Sequence, residues 1–140
     1  MKIEVTAGTA PEGGGRDRIV ALLNRQAEAA GHPFRSEHLL IEAHEDGRYL
    51  GGLQARCGVD WVYVELLAVD EDARRRGVGG ALLARLEDEA RARGMTGVWL
   101  DTFTFQAPGF YERQGYTSFG RIDDYPRGQA RVFYTKRLTD

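Results

Sequence analysis

The pattern of apolar and polar positions along this chain changes period several times, and each change marks an element. Met1 to Thr6 alternates, predicting a short strand. Pro11, Glu12 and three glycines then interrupt the chain. From Arg16 to Ala30 the apolar positions Ile19, Val20, Leu22, Leu23 and Ala27 fall on one helical face, and Gly31 ends the predicted helix. His38 to His44 and Tyr49 to Cys57 read as strands joined at Asp46-Gly47, a pair suited to the positive φ of a tight hairpin turn. Gly51-Gly52 inside the second strand predicts a bulge or a close backbone approach. Gly58, Val59 and Asp60 make another tight connection. Trp61 to Val69 follows as the most apolar strand, expected near the centre of the sheet.

A charged stretch, Asp70 to Arg76, runs into Gly77-Val78-Gly79-Gly80 and opens a helix predicted to reach about Arg93. Its apolar positions Leu82, Leu83, Leu86 and Ala90 face inward. Glu87 with Arg91 and Glu89 with Arg93 are expected as i,i+4 pairs outside, with Gly94 as the cap. Gly97 to Phe103 is a strand, and Pro108 to Gln114 a short helix stopped by Gly115. Tyr116 to Gly120 and Arg131 to Leu138 form the last two strands, linked by a polar loop holding Asp123, Asp124, Pro126 and Gly128. The expectation is a single mixed α/β domain over residues 1–140, with hairpins at both ends and helices between the middle strands.

Composition narrows the function. The 140 residues carry 19 basic and 21 acidic side chains, a net charge of -2, so charge suggests neither nucleic acid nor an acidic membrane as partner. No apolar run approaches spanning length, and the N-terminus has no signal-peptide core. The single cysteine, Cys57, excludes an intramolecular disulfide and makes a reducing cytoplasm the default expectation. His32, His38 and His44 lack metal-ligand spacing with Cys or acidic partners, so no metal is expected. The aromatics Phe103, Phe105, Phe110 and Phe119 suit a core or a pocket wall better than platforms for stacking bases.

The sharpest chemical feature is Arg74-Arg75-Arg76-Gly77-Val78-Gly79-Gly80, placed after a strand and before a helix. Glycines let the backbone approach a ligand, free N–H groups at a helix start favour an anion, and guanidinium groups pair with phosphate oxygens. A pyrophosphate cradle fits. A Walker A loop does not, since no lysine follows the glycines, and a dinucleotide fingerprint fails because Leu82 stands where its third glycine belongs. A merely flexible loop with solvated arginines is the alternative.

These residues resemble the GNAT superfamily of acetyl-CoA-dependent N-acetyltransferases. Arg74-x-x-Gly77-x-Gly79 is similar to that family's coenzyme motif, Gln/Arg-x-x-Gly-x-Gly/Ala, and Val64 to Asp70 resembles the strand leading into it. Ala107 to Tyr116 resembles a second signature, with Tyr111 four residues before Gly115-Tyr116. The resemblance covers about Tyr49 to Leu138 and implies a mixed, mostly antiparallel sheet, flanked by helices, with splayed central strands. It departs at Arg75, where many members carry glycine, and at Thr104, where asparagine is frequent.

What the resemblance implies is direct transfer of an acetyl group to an amine acceptor in a ternary complex. Coenzyme contacts are expected from Leu67, Ala68 and Val69, from Arg74, Arg75, Arg76, Gly77, Val78, Gly79 and Gly80, and from Thr104 and Tyr111. Glu65 is the candidate general base through water, against the alternative of a carboxylate on a polar strand face. Tyr111 is the candidate acid for the departing thiolate, against core packing beside Phe110. Tyr63 is expected on the same strand face as Glu65, lining the acceptor pocket, and Asp101, Asp123 and Asp124 are expected to attract a cationic amine. Two other functions stand beside this one: a catalytically idle acyl-CoA sensor acting through a protein partner, and a structural domain without a nucleotide ligand. A homodimer is compatible with the resemblance.

Overall fold

The computed structural model describes residues 1–5, 7 and 14–139. The chain divides into two compact units, Met1–Phe34 and Arg35–Asp140. In the first, residues 1–5 carry no regular structure, so the strand expected from Met1 does not form there. Among the described residues no strand pairs with this segment, and unpaired strand N–H and C=O groups have no stabilising partner. Thr6 and the expected break at Pro11 and Glu12 lie outside the described residues. Helix α1 spans Gly14–Ala29 and closes at Gly31 (φ 79°), where His32 N–H donates to Ala27 and Gly31 N–H to Glu28. Only Ala27 of α1 is buried, while Ile19, Leu22 and Leu23 are exposed.

The second unit is built on one sheet. Its elements are β1 (Ser36–Glu45), β2 (Arg48–Gly58), β3 (Trp61–Val69), a 3-10 turn at Glu71–Ala73, α2 (Val78–Ala92), β4 (Gly97–Phe103), α3 (Pro108–Arg113), β5 (Thr117–Asp123) and β6 (Ala130–Arg137). The six strands lie in the order β1-β2-β3-β4-β6-β5, so β3 is central as its apolar sequence implied. Only β3 and β4 are parallel, because α2 carries the chain back between them. Asp46 and Gly47 both take positive φ in the β1–β2 hairpin, the turn chemistry that the pair predicts.

Alternation decides which face each strand buries. Leu53, Ala55 and Cys57 of β2, Val62 and Val64 of β3, and Val98 and Leu100 of β4 form a core with Leu82, Leu83, Leu86 and Ala90 of α2. Removing each large side chain from water contributes about 1.5–3 kcal/mol. The opposite face carries His38, Arg56, Tyr63, Trp99, Asp101 and Arg131, the residues that alternate with the buried set. Cys57 is 3% exposed, and burial pushes its thiol pKa up.

Two irregularities shape the middle of the sheet. Val64 pairs with Ala55 and Leu66 with Gln54, leaving Glu65 as an extra residue in β3. This β-bulge switches the parity of the strand: Val62 and Val64 face the core before it, Leu67 packs on the core after it, and Leu66 is exposed. β3 and β4 also pair only from Trp61–Gly97 to Tyr63–Trp99, and no β3–β4 pairing follows. The close approach expected at Gly51-Gly52 is present, since a Cβ on Gly51 would lie 2.6 Å from Ala68 O and 2.9 Å from Val69 Cα.

Helix α2 ends in a Schellman motif, with Met95 N–H donating to Ala90 and Gly94 N–H (φ 70°) to Arg91. The expected outward pair Glu87–Arg91 does not exist. Glu87 is 6% exposed and turns inward to accept from Lys136 Nζ at 2.7 Å and from Tyr116 OH at 3.1 Å, while Arg91 reaches Asp88. A buried carboxylate requires such partners, and β6 supplies the cation. Glu89 does pair with Arg93, whose guanidinium also forks onto Glu37 of β1. Among the described residues, no helix is long and apolar enough to cross a membrane.

Gly51→Ala is expected to cost about 1–3 kcal/mol, because backbone rather than a flexible side chain meets the new methyl group. Gly58→Ala, with open space around it, is the comparison. Equilibrium denaturation of the two variants checks the difference, and equal midpoints would contradict the close approach.

Candidate functional site

Where β3 and β4 part, the chain opens two cavities. The larger, about 540 Å³, is walled by Leu67, Ala68 and Val69 at the end of β3, by Arg74, Arg75 and Gly77–Gly80, and by Ala107, Phe110, Tyr111, Arg113 and Gln114 around α3. The smaller, about 330 Å³, is walled by Val64 to Leu67, by Leu100 to Phe103, and by Gln106, Ala107 and Tyr111. Leu67, Ala107 and Tyr111 belong to both.

The larger cavity is lined by two arginines and by the start of a helix. Asp70 caps the 3-10 turn by accepting from Asp72 N–H, which brings the chain round to Gly77 (φ 77°). Gly77 is the N-cap of α2 and offers no side-chain cap, so the first N–H groups of the helix face outward without an intrahelical acceptor. Gly79 packs closely on α3, since a Cβ there would meet the Phe110 ring at 3.2 Å. Arg74 and Arg75 line the cavity, and neither is in a salt bridge among the described residues. Arg75 sits at φ 64°, which explains why glycine suits this position: a side chain there works against a left-handed backbone. Arg76 turns away instead and pairs with Glu45.

Thr104 also stands apart from this cavity. Its hydroxyl donates to Gln129 Oε1 at 2.6 Å and accepts from Ala130 N–H at 2.9 Å, which ties it to the start of β6 and leaves it on a different hollow with Pro108 and Phe119. Phe103 and Phe110 are cavity wall as expected, but Phe105 and Phe119 are exposed, at 58% and 60%.

The smaller cavity gathers polar chemistry on apolar walls. The bulge aims Glu65 into it, and Glu65 Oε1 is buried with no hydrogen-bond partner. The imidazole of His38 lies nearby, with Nε2 at 4.0 Å. Asp101 is 11% exposed, accepts from Tyr63 OH at 2.9 Å and pairs with Arg131 Nε at 2.8 Å. Tyr63 stacks on Trp99 with ring centroids 4.1 Å apart. Arg131 in turn lies over the rings of Phe103, Tyr125 and Phe133. Asp101 is therefore already balanced by a cation. Asp123 pairs with Arg121 and Asp124 accepts from Gly128 N–H, and neither lines the two cavities.

Tyr111 stands between the cavities, and its hydroxyl has no hydrogen-bond partner among the described residues. Burial and then the Asp101 carboxylate push its pKa above the ordinary tyrosine value. The arrangement thus places a carboxylate oxygen without a hydrogen bond, a phenol and the arginine-glycine turn around one junction. Sequence reasoning missed His38, Trp99 and Arg131 here, because their partners come from other strands.

Comparison with known proteins follows the same outline. A family model described as "Acetyltransferase (GNAT) family" matches residues 14–116. Blasticidin-S acetyltransferase of Streptomyces morookaense is 43% identical over 95 residues, covering 67% of this chain and 70% of that protein. The crystal structure of an acetyltransferase from Bacillus cereus matches with a TM-score of 0.81 at 30% identity, covering 96% of this chain and 97% of that one. An aminoglycoside 6'-N-acetyltransferase complexed with coenzyme A shares the fold, with a TM-score of 0.65 at 19% identity over 82% and 79% of the two chains.

The tyrosines give a pH prediction. Burial raises Tyr63, Tyr111, Tyr116 and Tyr134, with hydrogen bonds to carboxylates adding to the shift at Tyr63, Tyr116 and Tyr134. Each binds its proton more tightly folded than unfolded, so their contribution is complete below about pH 10 and is lost as pH rises toward the folded values. Denaturant midpoints should fall steeply above about pH 10, and Tyr116→Phe should flatten part of that slope. A flat alkaline limb would show that these hydroxyls are not held as described.

Proposed function

The chain belongs to the GNAT acetyltransferase family and is an N-acetyltransferase, and we propose that it carries the acetyl group of acetyl-CoA directly to the amine of a small molecule. The observation that supports this most strongly is the meeting of the two cavities at Tyr111 and Leu67, one suited to a pyrophosphate and the other to a cationic amine.

In this reading acetyl-CoA, as co-substrate, supplies the thioester. Arg74, Arg75 and the free N–H groups at the start of α2 hold its pyrophosphate. The edge of β3 from Leu67 to Val69, left unpaired by the splay, hydrogen-bonds its extended arm. Glu65 takes a proton from the acceptor ammonium, since a lysine-like amine with pKa near ~10.4 arrives charged. The neutral nitrogen forms a bond to the carbonyl carbon as the carbon–sulfur bond breaks. Tyr111, whose proton burial keeps in place at neutral pH, gives it to the sulfur and is reprotonated by the proton that the nitrogen sheds on becoming an amide. Tyr63 and Asp101 form the acceptor wall. The relative acting on blasticidin S makes that compound the first acceptor to try.

Two measurements test this. Acetyl-CoA at a hundredfold over Kd should stabilise the fold by roughly 2.7 kcal/mol, raising Tm by several degrees, with ATP and NAD without effect. Tyr111→Phe should lower kcat about a hundredfold while Kd for acetyl-CoA stays near wild type. A melt unmoved by acetyl-CoA would sink the coenzyme site, and an unchanged kcat would remove Tyr111 from the mechanism.

A further inference from the structure

Glu65 poses a problem of proton disposal. A base that accepts a proton in every turnover must release it before the next; the Glu65 side chain is 26% exposed, but its Oε1 is closed off from solvent with no hydrogen-bond partner. Its neighbours on the same sheet face offer little. Tyr63 OH is committed to Asp101, and Asp101 is committed to Arg131. Arg56, on β2 directly opposite His38, lies over the Tyr63 ring and cannot accept a proton. That leaves His38 on β1, whose Nε2 is 4.0 Å from Glu65 Oε1 and whose side chain is 65% exposed.

We propose that His38 relays the proton of Glu65 to solvent between turnovers. The inference rests on the reading of Glu65 as the base. A separation of 4.0 Å is slightly beyond a direct hydrogen bond and suits either a small rotation of the ring or one bridging water. Imidazole is the side chain able to take up and give away a proton near neutral pH, and its two nitrogens allow uptake on one side and release on the other. Glu65 in its acid form gives its proton to the bare Nε2, which regenerates the carboxylate. The imidazolium then loses the Nδ1 proton to water, and exchange with water restores the starting tautomer. Each cycle passes one proton, the one removed from the ammonium, and no other group changes.

His38 acts through Glu65 and touches neither substrate, so its signature differs from that of a binding residue. The test uses the full chain, with CoA release measured for the fastest acceptor on a panel of blasticidin S, an aminoglycoside, spermidine and tyramine. His38→Gln is expected to lower kcat about tenfold, with KM for acetyl-CoA and the melting temperature unchanged, and added imidazole should restore most of the rate. Glu65→Gln, run alongside, should lower kcat more and show no rescue. A normal kcat in His38→Gln beside a slow Glu65→Gln would overturn the relay alone. A slow His38→Gln that imidazole fails to rescue would reduce His38 to a structural neighbour and also overturn it. A normal kcat in Glu65→Gln, or no amine on the panel releasing CoA, would overturn the reading beneath it.

Discussion

Everything at the junction depends on the failure of two parallel strands to stay paired. β3 and β4 share hydrogen bonds only at their first residues, and beyond Tyr63 and Trp99 the edge of each strand is freed. Open edges inside a sheet are costly unless something pairs them, so a gap of this kind is a place for a ligand's own hydrogen-bonding groups. The extra residue in β3 makes the gap usable. By switching parity at Glu65 it points a carboxylate into one cavity and turns Leu67 onto the core beside the other. One inserted residue therefore sets both the carboxylate in the smaller cavity and the strand edge beside the larger one.

Charge is distributed so that the junction keeps only what it needs. The potentially expensive buried carboxylates are matched with cations from distant strands, Glu87 with Lys136 and Asp101 with Arg131. Such matching follows from the cost of leaving either charge unpaired in a low-dielectric surrounding. Glu65 is the exception, a carboxylate oxygen that no hydrogen bond satisfies. Arg74 and Arg75 are the corresponding exception on the other side, cations facing a cavity with no carboxylate across from them. Groups of opposite sign thus stand on either side of Tyr111.

Much of this was legible in the sequence because local rules governed it. The hydrophobic pattern fixed β3 and β4 to the residue, and Gly31, Gly94 and Gly115 stop the three helices through positive φ. The glycine turn announced its cavity for the same reason, since N–H groups at a helix start are a property of a few consecutive residues. The plainest miss within the second unit was long-range. Glu87 reads as a surface partner of Arg91 by spacing, and only the placement of β6 brings Lys136 beneath it. Thr104, expected at the coenzyme from the resemblance, has its hydroxyl held by the loop before β6. The bulge itself has no sequence signature, because Glu65 is an extra residue only relative to its neighbour strand.

Cys57 has a practical consequence. The chain's sole thiol lies under the sheet, 3% exposed, with its ionisation suppressed by burial. The product CoA carries an accessible thiol, and only thiolates react quickly with disulfide reagents. A chromogenic thiol reagent added to the folded enzyme therefore reports turnover against a silent protein background. The same reagent turns positive on the polypeptide only when the sheet opens, so one chemical probe reads catalysis in the native state and unfolding outside it.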